Sequence, residues 1–348
     1  MQQAWLISLG RRWITYDVSK DASLFALGKA AMPLHNANRP TMDILSATVA
    51  ATAGCWRLVG SEDKLAVDGA AVDAMREALR GADFGGIVVI GEGEKDEAPM
   101  LFNGEIIGGG QPVEWDIAVD PVDGTALAAA GTPGAVAVMA AAQRGAMLEA
   151  KEVYFMQKIV SGPLGRGVLD LDASATDNIK RLAAAMDKPM TEMRVAVINK
   201  ERNFDLIAEV ESTGATWVRF DEGDIAMAVA AAVPGTGVDM LLGLGGSPEG
   251  VATAVAIQIL GGFMQTRFAP QDPDQIERAL AANYDIERKF ELEELVSGDR
   301  FVFVLTGITD GILAKGVREN EDELEIQSFV LDSNIGEGIV VDVRVPKD

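Results

Sequence analysis

The stretch Trp115-Asp116-Ile-Ala-Val-Asp120-Pro121-Val122-Asp123-Gly124-Thr125 gathers carboxylates, a hydroxyl and a glycine on a few consecutive residues. Side chains alternate along a strand, so Asp116, Ala118 and Asp120 share one face. Pro121 has no N–H to give and is expected to stop the ladder. The turn then returns Asp123 toward Asp120, and Gly124 permits a positive φ. Carboxylates this close repel unless one is protonated or a cation binds them. The pattern therefore points to a divalent metal held by oxygen. A strand exit with surface aspartates is the plainer alternative; Asp116 upstream and Thr125 downstream favour the metal.

Composition supports oxygen as the ligand. The chain has one His and one Cys, so neither a Cys/His zinc cage nor an intrachain disulfide can form. Oxygen donors favour magnesium, manganese or calcium. With 53 acidic against 30 basic residues the formal charge is −23, which argues against nucleic acid as a partner.

Further candidates lie elsewhere. Glu92 follows the apolar run Gly86–Ile90, and the acids after it break any dinucleotide fingerprint. Asp68 precedes a glycine in Val67-Asp68-Gly69 and, taken alone, reads equally as a helix cap. Gly245-Gly246-Ser247-Pro248-Glu249 opens a helix whose amides would suit an anion, although Ser-Pro-Glu is also an ordinary helix start. Lys200 and Arg202 by themselves read as exposed loop cations. Glu222 and Asp224 by themselves read as acids that begin a helix. Tyr154 by default packs half-buried.

The elements that must position these residues alternate in type. Helices are expected from Thr41, with Thr41 or Asp43 as cap, and from Asp68 to Leu79. From residue 190 strands at 194–198, 215–220 and 238–242 alternate with helices at 204–210, 224–233 and 248–260, the pattern of βαβ units. The C-terminal part, 301–345, is strand-rich, with 319–325 as a solvated acidic loop or strand entry. Residues 1–40, with the lone His35, form a poorly ordered, dispensable extension in this reading. No apolar run approaches the ~20 residues that span a bilayer, and the first residues lack a secretory pattern, so a cytoplasmic protein without a membrane partner is expected.

Four segments together carry a resemblance. Lys64-Leu-Ala-Val-Asp68-Gly, Ile90-Gly-Glu92-Gly-Glu-Lys-Asp96-Glu-Ala-Pro, Asp116–Thr125 and Gly243-Leu-Gly-Gly-Ser-Pro-Glu249-Gly250 resemble class II fructose-1,6-bisphosphatases, in that family's order and spacing over roughly residues 42–348. The Asp-Pro-x-Asp-Gly-Thr core is shared with the wider lithium-sensitive sugar and inositol phosphatases. The resemblance implies a layered αβαβα fold of two sub-domains (41–190 binding metal, 191–348 binding substrate) with the site in the cleft between them. It implies two or more Mn2+ or Mg2+ ions on Asp68, Glu92, Asp120, Asp123 and Glu249, with the Val122 carbonyl as a further donor. Lys64, Asp96 and Thr125 would serve catalysis, the last two by positioning the attacking water. Asp123, Gly124, Thr125, Tyr154, Lys200, Arg202, Glu222, Gly223, Asp224 and Gly246 would contact a sugar bisphosphate. The implied activity is release of the C1 phosphate of fructose 1,6-bisphosphate, with sedoheptulose 1,7-bisphosphate as a second substrate, by a homo-oligomer (dimer or tetramer). Alternatives are an inositol or phosphoadenosine phosphatase and a catalytically silent metal-binding subunit. Two departures stand out: Asp123 where the family commonly has Glu, and Glu222-Gly-Asp224 where Asp-Gly-Asp is common.

Overall fold

The computed structural model describes residues 14–15, 37–91, 101–109 and 112–347. Its strands are β1 (Ile14–Thr15), β2 (Gly86–Ile90), β3 (Ile106–Ile107), β4 (Trp115–Asp123), β5 (Val136–Gln143), β6 (Phe155–Ser161), β7 (Arg194–Ile198), β8 (Thr216–Phe220), β9 (Met240–Gly246), β10 (Phe263–Phe268), β11 (Lys289–Glu291), β12 (Phe301–Gly307), β13 (Arg318–Glu319), β14 (Glu323–Asp332) and β15 (Ile339–Pro346). The helices are α1 (Thr41–Cys55), α2 (Lys64–Leu79), α3 (Thr125–Ala130), α4 (Ala175–Ala185), α5 (Phe204–Ser212), α6 (Asp224–Ala232), α7 (Ser247–Ile259), α8 (Pro273–Ala281) and α9 (Leu292–Leu295).

These elements make a mixed α/β protein with two sheets among the described residues. The larger runs β1-β15-β14-β12-β5-β4-β2-β3, with β13 beside β14; the smaller runs β11-β10-β6-β9-β7-β8. In the smaller sheet β7 pairs in parallel with both β8 and β9, as the βαβ rhythm of the sequence requires. The acidic 319–325 run forms the turn between β13 and β14 and the entry to β14.

Sheet membership departs from the expected boundary at 190. β6 lies before that boundary and joins the second sheet, while β12, β14 and β15 return to the first. The chain therefore crosses twice. Phe301–Leu305 is an apolar run in a strand buried on both faces, and it pairs with the apolar Val138–Ala142 of β5.

The helices cover both sheets. α1 and α2 pack on β4, β5, β12 and β14, and their cluster includes Ile44, Val67, Met75, Ile117 and Val304. α6 and α7 touch strands of the smaller sheet, and α7 also touches β4, β5 and β12; their cluster joins Val229 and Val255 with Ala140, Phe303 and Val160. A third cluster, around Ile179, Val195 and Val210, lies under α4 and α5. The Ala-rich runs at 137–142 and 226–232 are buried throughout except for Met227, and their small side chains let the sheet and helix backbones approach closely.

The start of α1 is held differently from the expectation. Neither Thr41 nor Asp43 caps it: Pro40 is the N-cap residue and offers no side-chain bond. Asp332, fully buried at the end of β14, accepts from the Asn38 N–H at 2.7 Å and from the Thr41 hydroxyl. Asn38 thus belongs to the packed body, so the expected extension ends before it; His35 lies outside the described residues. Cys55 is buried in α1, and burial pushes its thiol up to about 12, which makes it unreactive.

Candidate active site

β2 and β4 are parallel neighbours, so their carboxyl ends open on the same side, where α/β sheets place functional groups. Along β4 the ladder does not end at Pro121. Asp120 pairs with Val138 and Asp123 with Val136, so the register slips across Pro121 and Val122 and pairing resumes. The proline withholds one donor, and the strand absorbs the extra residue as a bulge. Asp120 accepts from the Val122 N–H at 3.0 Å. Gly124, at φ 88°, turns the chain into α3, and the Thr125 hydroxyl donates to the Val122 carbonyl at 3.0 Å.

Asp116 does not join this group. It lies four residues away along the strand, ~13 Å at the usual rise. There it is ion-paired to Arg144 at 2.6 Å and accepts from the Met147 N–H at 3.2 Å. Alternation along β4 sets the face of Asp116, and the length of the strand sets it apart from Asp120.

A cavity of ≈370 Å³ stands at the open end of β4. Lys64, Asp120, Asp123, Gly124, Thr125, Tyr154, Lys200, Arg202, the 222–224 segment, Gly246 and Glu249 all line it, so most of the expected site residues do meet. A smaller cavity of ≈220 Å³ shares Asp120, Tyr154 and Glu249 and is lined by Ile90 and Gly91. A Cβ at Gly91 would run into the Leu101 carbonyl, so this position needs glycine. Glu92 and Asp96, which follow it in sequence, lie outside the described residues. Asp68 lines neither cavity. It sits in the second turn of α2, half-buried, and burial raises its carboxyl above the usual range. The helix cap is Asp63, which accepts from the Ala66 N–H at 3.0 Å, so the capping alternative for Asp68 fails.

The acidic wall is electrostatically uncomfortable. Asp123 is 7% exposed; burial, then the charges of Glu249 and Asp224, pushes it up to about 8. Its Oδ2 accepts from the Ile225 N–H at 3.3 Å. Glu249, in the first turn of α7, is raised by burial in the same way, and its Oε2 is sealed from solvent without a hydrogen-bond partner among the described residues. A buried carboxylate oxygen without a donor fits a cation ligand better than a structural role. Among the described residues no three carboxylates stand together as a finished metal cage. The donor set fits oxygen coordination.

Cations line the same cavity. Lys200 and Arg202 lie in the turn after β7. Arg202 stacks over Phe155, 4.9 Å to the ring centroid, and its Nε donates to the Leu244 carbonyl at 2.9 Å, which fixes the guanidinium plane. Tyr154 is 58% exposed at the rim, not half-buried as its default reading has it. Glu222 accepts from the Ala126 N–H at 3.1 Å and so ties the β8–α6 turn to the start of α3.

Two residues were missed. Asn203, 2% exposed, accepts from the Leu244 N–H at 2.8 Å and donates to its carbonyl at 3.1 Å, locking the Lys200–Arg202 turn to β9. Lys158, also 2% exposed, donates to Asp224 and to the Gly246 carbonyl. The alternation Met156, Lys158, Val160 already places that lysine on an apolar face, and this is the signal that could have found it.

Comparison with known proteins adds names to this geometry. The family model of the bacterial fructose-1,6-bisphosphatase, glpX-encoded, matches residues 38–343. The chain is 39% identical over 283 residues to a fructose-1,6-bisphosphatase class 2 of Haemophilus influenzae, covering 78% of this chain and 85% of that one. It is 38% identical over 297 residues to a fructose-1,6-bisphosphatase 2 class 2 of Escherichia coli, covering 82% and 92%. It is 37% identical over 317 residues to a D-fructose 1,6-bisphosphatase class 2/sedoheptulose 1,7-bisphosphatase of Thermosynechococcus vestitus, covering 83% and 91%.

Proposed function

Because the chain belongs to the glpX-encoded bacterial fructose-1,6-bisphosphatase family, we propose that its cavity is where fructose 1,6-bisphosphate loses its C1 phosphate, leaving fructose 6-phosphate and inorganic phosphate. The protein is a phosphoric monoester hydrolase of class 2. The name of the Thermosynechococcus relative supports sedoheptulose 1,7-bisphosphate as a second substrate. Kinship with the lithium-sensitive inositol phosphatases rests on the Asp-Pro-x-Asp-Gly-Thr core alone.

The observation that carries the reading is convergence: residues from Lys64 to Glu249, on segments far apart in sequence, line one cavity that holds the carboxylates Asp120, Asp123 and Glu249 together with Lys200 and Arg202. The reacting phosphate belongs at Asp123-Gly124-Thr125, and Lys200 and Arg202 hold the remote phosphate, Arg202 by its fork and Lys200 as a point charge. Glu222, Gly223, Asp224 and Gly246 face the sugar, and Tyr154 closes the rim. Two or more Mn2+ or Mg2+ ions would be held by Asp68, Glu92, Asp120, Asp123 and Glu249. Such ions activate water at neutral pH and neutralise charge on the leaving oxygen. The Thr125 hydroxyl donates to Val122, so its oxygen is turned to accept from, and orient, an attacking water. Asp96 would share the task of positioning that water, and Lys64 would offset phosphate charge at the rim. The reading includes the αβαβα layering with the cavity as the cleft between two sub-domains, and a cytoplasmic homo-oligomer, dimer or tetramer. Among the described residues no helix is long and apolar enough to cross a membrane.

Asp120→Ala tests this. It is expected to abolish metal-dependent phosphate release from fructose 1,6-bisphosphate while the circular dichroism spectrum is unchanged. Turnover retained by the variant would refute the site.

A further inference from the structure

Lys158 is the one lysine or arginine among the described residues that is buried, and it lies directly behind the cavity wall. Nothing in the reaction as described above uses it. Its Nζ donates to the Asp224 carboxylate and, at 2.9 Å, to the Gly246 carbonyl. These acceptors belong to separate elements: Asp224 begins α6, and Gly246 ends β9 and precedes α7. Both face the same cavity. The neighbouring residue of Asp224 extends the link, because the Ile225 N–H donates to Asp123 on β4. One ammonium thus ties the start of α6 to the end of β9, and α6 in turn reaches the first sheet.

The surroundings are shaped for it. A Cβ at Gly245 would collide with the Asp224 carboxylate and with Lys158 Nζ. A Cβ at Gly250 would meet Met156 Sδ and come within 3.5 Å of Lys158 Cδ. A buried ion pair adds little net stability over an apolar pair of the same volume, so stability alone is a poor account of this one. What the pair does provide is direction: an ammonium with several donors fixes a carboxylate and a carbonyl relative to each other.

We propose that Lys158 is a positioning residue for sugar recognition: it holds Asp224 and Gly246 in the places from which they meet the sugar of the substrate. The inference rests on the proposed function and deepens it. Lys158 does not touch the substrate. Its removal acts on binding before chemistry, and because it is a cation beside the acidic wall, its removal does not weaken the hold on divalent ions.

The test is Lys158→Met, which keeps the length of the side chain and removes charge and donors. Steady-state turnover of fructose 1,6-bisphosphate at saturating Mn2+ gives KM and kcat, and calorimetric titration of the substrate-free protein gives Mn2+ affinity. The expected result is KM raised about tenfold or more with kcat lowered less than about threefold, a split that marks lost substrate binding. Mn2+ affinity is expected to stay equal or become tighter. An unchanged KM in a folded variant overturns the proposal, as does a fall in kcat alone. Mn2+ binding weakened by about tenfold also overturns it, since Lys158 would then build the metal site (about 1.4 kcal/mol). Should that variant fail to fold, Lys158→Gln, which keeps an N–H donor, takes the same measurements and the same criteria. If neither folds, Lys158 is a core element and the proposal falls. The wild-type arm separates the two readings: no phosphate release from the wild type refutes the proposed function, whereas wild-type turnover with an unchanged variant KM refutes only this inference.

Discussion

At the closed end of β4, Asp116 is 1% exposed and satisfied: Arg144 pairs with it and the Met147 N–H donates to it. At the open end, Asp123 is buried almost as deeply, at 7%, but faces Glu249 and Asp224 and accepts only a long bond from Ile225. The two aspartates share a strand and an apolar surround and differ in their neighbours. The closed end supplies a protein cation and becomes a structural node. The open end gathers more negative charge than its own residues neutralise, so it needs a proton, a metal ion or both. Burial of a carboxylate is therefore not what marks a site; burial without compensation is.

Exchanging the roles of the two residues gives the largest effects. Asp123→Asn is expected to lower turnover by roughly a thousandfold or more, since under the proposed function it removes a metal ligand and a phosphate contact together, while the melting temperature of the metal-free protein holds or rises as repulsion is relieved. Asp116→Asn is expected to do the reverse. It should cost about 1–3 kcal/mol of stability by weakening a charged hydrogen bond while kcat stays within about twofold. Calorimetric melting and phosphate release, measured on both variants, decide this; a loss of turnover in Asp116→Asn with stability intact would break the comparison.

Metal addition comes next in size. Mn2+ at about a hundred times its dissociation constant should stabilise the wild type by about 2.7 kcal/mol, or roughly 5 °C in melting temperature. The shift should shrink or vanish in Glu249→Gln, which neutralises the carboxylate whose Oε2 has no donor. A full shift in that variant would remove Glu249 from the metal site.

The smallest effect is the pH dependence of the metal-free protein. Asp123 is raised from 3.8 to about 8, so between those values the folded state holds a proton that the unfolded state has lost. Its contribution to stability is present at low pH and is lost as pH rises through that window. The melting temperature of metal-stripped protein should fall between pH 5 and 8, and Asp123→Asn should flatten the fall. A wild-type curve that rises over this range would show that Asp123 is not the dominant group.

Much of the site was legible in sequence because spacing along one element is a local property. Asp-Pro-x-Asp-Gly-Thr specified a strand leaving through a turn, though as a bulge and not a stop. The helix start at 247 and the acids at 222 and 224 were also visible. Contacts between distant segments left no such trace. Lys158 meets Asp224 across 66 residues, Ile225 meets Asp123 across 102, and Asn38 meets Asp332 across 294. The same blindness misplaced Asp116, because alternation gives the face and not the partner.

The sequence by itself determined the chemistry available. A single His and a single Cys leave oxygen as the main metal donor, and four ordered motifs name the reaction class. Tertiary structure alone decided which carboxylates are left uncompensated, that the last strands return to the first sheet, and that a buried lysine ties Asp224 to the Gly246 carbonyl. The physical reason is that ligand type is a covalent property of each residue, whereas charge balance depends on which partners packing brings within a few ångströms.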